Sequence, residues 1–285
     1  MIHHITLTGR SIALACDGTV TTQHGAGGAT GAVYVEASHL TLLHDMRDGE
    51  FYRTGQNSWS PSGWRRLSEA PMRIANEQRR RTADDAPWDD PARHHSAWMA
   101  VLEDSAGALL VGCLDGRTPR VRADTAVLEA FTESGGSARW VILPGPATAV
   151  MARYARELGE SLGSRPIEPQ SVWCSWYSYY EGISQEALER EIPQVAELGF
   201  STLQIDDGWE VAVGDWEAGE SFGDGMEAAA TRIREAGMQP GLWVAPFIAL
   251  PGSRAVRDYP EMFVHNADGG LAVAGSNWGG SYYAL

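Results

Sequence analysis

The feature that most constrains this fold is a change of hydrophobic period partway along the chain. Up to about residue 150 the apolar residues come in short β-rich runs, at 32–43, 98–102, 108–114, 125–131 and 138–143, with turn formers between them. Runs of this kind pair as antiparallel strands that each bury a face, which predicts a β-sandwich. Asp104-Ser105-Ala106-Gly107 and Glu133-Ser134-Gly135-Gly136-Ser137 supply hairpin connections, with glycine giving the positive φ that such turns often require. Residues 79–93 are charge-dense and are expected to form a polar loop.

Helical spacing follows at 149–162, and residues 163–169 then bring a glycine, two prolines and polar residues. Beyond this break the pattern is a strand at 171–176, a helix at about 184–198, a strand at 202–205, a helix at about 224–236 and a strand at 242–245. Strand and helix in alternation build parallel βα units, so two domains are expected, residues 1–165 and 166–285. Ser184 is placed to cap the first helix, Asp224 and Glu227 have capping-box spacing at the second, and Gly199 and Gly237 suit left-handed C-terminal caps. Pro193 predicts a kink or a late start for the first helix.

The 285 residues, 44% hydrophobic, suffice for two such domains, and a net charge of −15 argues against nucleic-acid or anionic-membrane partners. A neutral substrate is expected. All 22 basic residues are arginine, and no mechanism is drawn from that bias. Cys16, Cys113 and Cys174 are odd in number, widely spaced and free of any C-x-x-C pair, which predicts neither a disulfide framework nor a zinc site. His94 and His95 would diverge on a strand rather than chelate, so no metal and no cofactor are expected. With no signal-peptide pattern after Met1, and apolar runs far shorter than the ~18 residues of a membrane helix, the expected location is cytoplasmic.

Chemistry concentrates where the parallel strands end. Asp206 and Asp207 follow the second strand, and Gly208 lets the chain turn so that both could grip adjacent hydroxyls of one ligand; the alternative is that one of them caps a turn or pairs with an arginine. Paired carboxylates at a buried strand end are costly without donors or a ligand, and indoles beside them offer apolar faces of the kind a sugar ring presents. Trp176 is favoured for the pocket and Trp173 for the core, while Trp243 could face either way. Asp215 and Trp216 could be lid contacts or loop anchors.

These residues resemble a known family. Trp173-Cys174-Ser175-Trp176-Tyr177, Ile205-Asp206-Asp207-Gly208-Trp209, Gly214-Asp215-Trp216, Phe222 with Gly225-Met226, and Gly241 to Phe247 are similar, in order and spacing, to the α-galactosidases of glycoside hydrolase family 36. Upstream, the segments Gly55-Gln56-Asn57-Ser58-Trp59-Ser60-Pro61 and His95-Ser96-Ala97-Trp98-Met99 resemble that family's β-sandwich. The resemblance implies an N-terminal β-supersandwich, a catalytic (β/α)8 barrel and a retaining hydrolase acting on terminal α-galactosides. It also implies a galactosyl-oligosaccharide substrate bound by Trp176, Asp206, Asp207 and Trp243, with Asp215 and Trp216 as secondary candidates.

From Ser171 to Leu285 there is room for only about three βα units, whereas a whole barrel takes about 250 residues. The family's nucleophile follows the fourth barrel strand and its acid/base the sixth, so both are expected beyond Leu285, and this chain alone is expected to be inactive. Residues 281–285 are expected to approach the fourth strand. Related alternatives are a raffinose-type galactosyltransferase or an α-N-acetylgalactosaminidase, and an alternative of another class is a non-catalytic galactose-binding protein. The full-length form is compatible with a homo-oligomer.

Overall fold

The computed structural model describes all residues except 1, 8–9, 25–29, 57–59, 75–89 and 116. Most of the expected polar loop at 79–93, and Asn57, Ser58 and Trp59, therefore lie outside the described residues. The chain divides into two compact units, Met1–Pro166 and Ile167–Leu285.

The first unit has two antiparallel sheets. One runs in the order Ile2–Leu7, Arg10–Cys16, His39–Leu43, Val127–Thr132, Pro119–Ala123, His94–Ala97. The other runs Thr19–His24, Thr30–Ala37, Ala138–Gly145, Gly107–Cys113, Met99–Asp104, Glu50–Arg53, Gly63–Arg66. Alternate side chains of both sheets, including Leu14, Leu40, Leu42 and Leu128 from one and Val33, Val35, Phe51, Leu102, Val111 and Trp140 from the other, share a single buried cluster. That interdigitation is the core of a sandwich.

The second sheet is also covered on its outer face. The helix Ala147–Ser161 lays Val150 and Tyr154 over Ala32, Val101, Leu110, Val141 and Leu143. Double coverage explains why Gly107–Cys113 is a continuous apolar run rather than an alternating one. Gly112 leaves room for the Tyr154 ring, since a Cβ there would stand 2.3 Å from Tyr154 Cε2. The Tyr154 hydroxyl donates to the Cys113 carbonyl at 2.7 Å, and burial pushes the Cys113 thiol up to about 12, which leaves it an inert packing residue.

In the second unit Val172–Cys174, Thr202–Ile205 and Gln239–Leu242 form a parallel sheet with Thr202–Ile205 in the centre. Helices Gln185–Glu197 and Gly225–Glu235 connect these strands and bury Leu188, Ile192, Val195, Ala229 and Ile233 in one cluster with Leu203 and Ile205. Ser184 caps the first helix as expected, its hydroxyl accepting from Ala187 N at 3.2 Å, and Gly199 and Gly237 adopt φ of 80° and 84°. Pro193 is accommodated within a helix that runs unbroken.

Four local expectations are corrected. Asp224 makes no side-chain cap; its carboxylate instead accepts from Arg232 at 2.6 Å and Gln185 at 2.7 Å, because a guanidinium one helical face away outcompetes the backbone. The first strand stops at Cys174, and Trp176 opens a one-turn helix, Trp176–Tyr179. The third strand is Gln239–Leu242, which places Trp243 just past its end, its N–H donating to Ile205 O at 2.9 Å. Residues Gly280–Ala284 form a strand that pairs antiparallel with Ile248–Ala249 and Val273–Asn277 rather than joining the parallel sheet.

Candidate functional site

The carboxylates lie at the C-terminal edge of the parallel sheet. Gly208 carries φ 108°, and a Cβ on it would meet the Glu181 carbonyl oxygen at 2.4 Å, so only glycine lets the chain turn here. The strand itself ends at Ile205, so Asp206 and Asp207 both lie past its regular alternation.

Asp206 is pinned by its neighbours. Its Oδ2 accepts from Gln204 Nε2 at 2.7 Å and from Cys174 Sγ at 3.3 Å, and its Oδ1 accepts from Asp207 N at 3.0 Å. Its own N–H donates to Ser175 Oγ at 2.8 Å, which ties the ends of the first two strands together. Asp207 is 4% exposed, and its Oδ2 accepts from the indole N–H of Trp278. Glu210 Oε2 accepts from Gly208 N at 3.2 Å, and burial, followed by the neighbouring Asp207 carboxylate, pushes the Glu210 carboxyl up to about 7.

A file of aromatic rings runs alongside. Trp209 packs on Trp216 with centroids 6.3 Å apart, Trp216 meets Trp243 edge-on at 5.8 Å, Trp243 meets Trp278 at 6.3 Å and Trp278 meets Tyr282 at 5.6 Å. Trp209 is also fixed by donating its indole N–H to Trp243 O at 2.9 Å. Trp176 packs edge-on against the exposed Tyr180 at 5.2 Å, whereas Trp173 lies against the core cluster.

Asp215 is a buried loop anchor. Its two oxygens accept from Arg254 N at 2.8 Å and Ala255 N at 3.1 Å, so it holds the start of the helix Arg254–Asp258. Asp206, Asp207, Trp243 and Trp216 are thus joined through Trp278, which sequence reasoning missed along with Glu210. Glu210 follows directly on the motif and could have been found from its spacing; Trp278 arrives from a hairpin some 70 residues later, with no local signal. His94 and His95 are both buried, with His94 Nε2 3.3 Å from Leu67 O, and no group of ligands suited to a metal occurs among the described residues. A cleft of about 840 Å³ in the first unit is lined by Tyr34, Arg153 and Glu157 among others. Its Arg153 is already held by Glu157 at 2.7 Å and Gly31 O at 3.0 Å.

The described residues thus form an antiparallel sandwich followed by a parallel βα module with carboxylates and indoles at its strand ends. Residues 164–277 match the family model described as Melibiase. Over its whole length the chain superposes on an α-galactosidase of Thermus thermophilus determined with p-nitrophenyl α-D-galactopyranoside, with 33% identity and a TM-score of 0.86, covering 57% of that chain. A structure of the same enzyme with stachyose gives a TM-score of 0.85 and 60% coverage. The α-galactosidase AgaA of Geobacillus stearothermophilus is 29% identical over 99 residues, 32% of this chain and 14% of that protein. Its structure shares the fold at a TM-score of 0.56. The chain spans less than two thirds of the length of each of these relatives. The chain is thus similar to an N-terminal portion of glycoside hydrolase family 36 α-galactosidases.

Proposed function

We propose that this chain provides the galactosyl-binding part of a retaining α-galactosidase acting on terminal α-galactosides, and that its parallel sheet is the start of a (β/α)8 barrel. The observation that carries this reading is the junction of Asp206 and Asp207 with the Trp243–Trp278 ring pair at the C-terminal ends of parallel strands, the end at which barrel active sites form. Carboxylates accept from vicinal hydroxyls, and indole faces cover the apolar side of a pyranose. Trp176 is assigned a second stacking face, Trp216 a support for Trp243, and Asp215 the role of fixing the loop behind them.

Neither aspartate suits the chemical step. A retaining mechanism needs one carboxylate to attack the anomeric carbon and a second, about 5 Å away, to protonate the leaving oxygen and then activate water. Asp206 and Asp207 are adjacent in the chain and pinned by donors, which suits fixed acceptors rather than an opposed pair. We assign nucleophile and acid/base to later barrel strands beyond Leu285, and expect the 285-residue chain to bind without hydrolysing.

The test is titration of the chain with galactose, followed by tryptophan fluorescence, beside an assay with p-nitrophenyl α-galactoside. Saturable quenching that Asp207→Ala removes, without release of nitrophenol, supports the reading. No saturable binding by wild-type protein overturns it, and hydrolysis by the chain alone overturns the assignment of the catalytic carboxylates.

A further inference from the structure

Asp206 is held from one side by a polar rung of the parallel sheet that has no part in the chemistry described so far. Cys174, Gln204 and Gly241 are register partners across the three strands. Leu203 and Ile205 are buried against the helices, and alternation turns Gln204 to the other face. A Cβ on Gly241 would stand 3.2 Å from both Gln204 Cα and Cβ, so the third strand is bare where the glutamine lies. From that rung Gln204 Nε2 donates to Asp206 Oδ2 at 2.7 Å and to Cys174 Sγ at 3.7 Å, and Cys174 Sγ donates to the same Oδ2 at 3.3 Å. The amide has one workable orientation, since turning it over would set its carbonyl oxygen against a carboxylate with no hydrogen between them. Each carboxylate oxygen offers two lone-pair sites. Both sites on Oδ2 are therefore filled, whereas Oδ1 has one filled by Asp207 N–H at 3.0 Å and one open.

We propose that Gln204 and Cys174 are positioning residues that close Asp206 Oδ2 and leave Oδ1 as a single acceptor, so that Asp206 selects for one hydroxyl of the sugar. The terminal torsion of an aspartate is broad, and a carboxylate held only by its backbone could present either oxygen. Two donors on Oδ2 and one on Oδ1 fix its plane before the sugar arrives, which raises affinity by removing an ordering step from binding. This inference rests on the galactosyl-binding reading above and deepens it. It assigns one contact to Asp206, where adjacency of the two aspartates alone would allow each to grip a pair of hydroxyls.

The experiment measures the affinity of the wild-type chain, Gln204→Leu, Gln204→Glu and Cys174→Ser for galactose and for its monodeoxy analogues, beside a ¹⁵N spectrum of the unliganded wild-type chain. Gln204→Leu keeps the volume and loses the donor, and is expected to weaken galactose binding ~10-fold. Gln204→Glu, which sets an acceptor against Oδ2, is expected to weaken it further, and Cys174→Ser, which keeps a donor, to stay within ~2-fold of wild type. The Gln204→Leu penalty should vanish against the one analogue that lacks the hydroxyl on Oδ1 and persist against the others. An equal penalty against every analogue leaves Gln204 a purely structural role and overturns the proposal, as does Gln204→Leu protein that binds galactose as tightly as wild type. The spectrum needs no variant: a Gln204 side-chain amide proton shifted downfield and slow to exchange with water supports the bond to Asp206, and one that exchanges as a free side chain overturns it. If that amide is bonded and wild-type protein binds no galactose, the fixing of Asp206 stands and the galactosyl reading falls.

Discussion

Glu210 shows how one residue couples the site to the stability of its unit. Its carboxyl titrates near 4.5 in an unfolded chain and is pushed up to about 7 in the fold, by burial and by the neighbouring Asp207 carboxylate. Between these values the native state binds the extra proton, so this group's contribution is full below about 4.5 and is lost as pH rises through about 7. Urea midpoints measured from pH 4 to pH 8 should show that decline in wild-type protein and a flatter course in Glu210→Gln. Half-buried His44 and buried His94, both held below the ordinary histidine range by desolvation, act with the opposite sign in either protein, so the difference between the two curves isolates Glu210. At the same scale, Trp278→Phe keeps the ring packing but removes the donor to Asp207, and should weaken galactose binding ~10-fold with little change in melting.

Among elements, the two helices of the parallel module offer a direct contrast. Ser184 caps the helix Gln185–Glu197 through Ala187 N, so Ser184→Ala should lower stability by ~1 kcal/mol in denaturant titration. Asp224 precedes the helix Gly225–Glu235 without capping it, and its exposed, solvent-screened pair with Arg232 leads us to expect little change from Asp224→Ala; a loss as large as that of Ser184→Ala would show a cap the structure lacks. The turn after Thr202–Ile205 admits no side chain at Gly208, and Gly208→Ala should both destabilise the unit and abolish galactose binding. Element types were legible because period-2 and period-3.6 patterns report directly on which faces are buried. The ends of the first and third parallel strands were not, since hydrogen bonds such as Trp243 N to Ile205 O depend on the neighbouring strand rather than on local sequence.

For the whole molecule, the two buried clusters of the sandwich are drawn entirely from residues 1–166, so that segment should unfold cooperatively when expressed alone, and Trp140→Ala should cost it ~3–5 kcal/mol in denaturant titration. In the second unit Val172, Leu242, Val244 and Phe247 are exposed at or beyond the outer strands of the parallel sheet, which predicts binding of a hydrophobic dye by residues 167–285 and weaker binding after Phe247→Glu. By itself the sequence determined the succession of sandwich and βα units, the helix cap at Ser184, the glycine turn at Gly208 and the adjacency of Asp206 and Asp207, all of which follow from local periodicity and backbone sterics. Only the tertiary structure decided that Trp278 reaches Asp207, that Asp215 is spent on holding a helix start, that Glu210 meets Asp207 and that residues 280–284 turn back as an antiparallel strand. Those outcomes depend on which distant segments compete for the same donors and buried surface, and that competition is settled only when the chain has closed on itself.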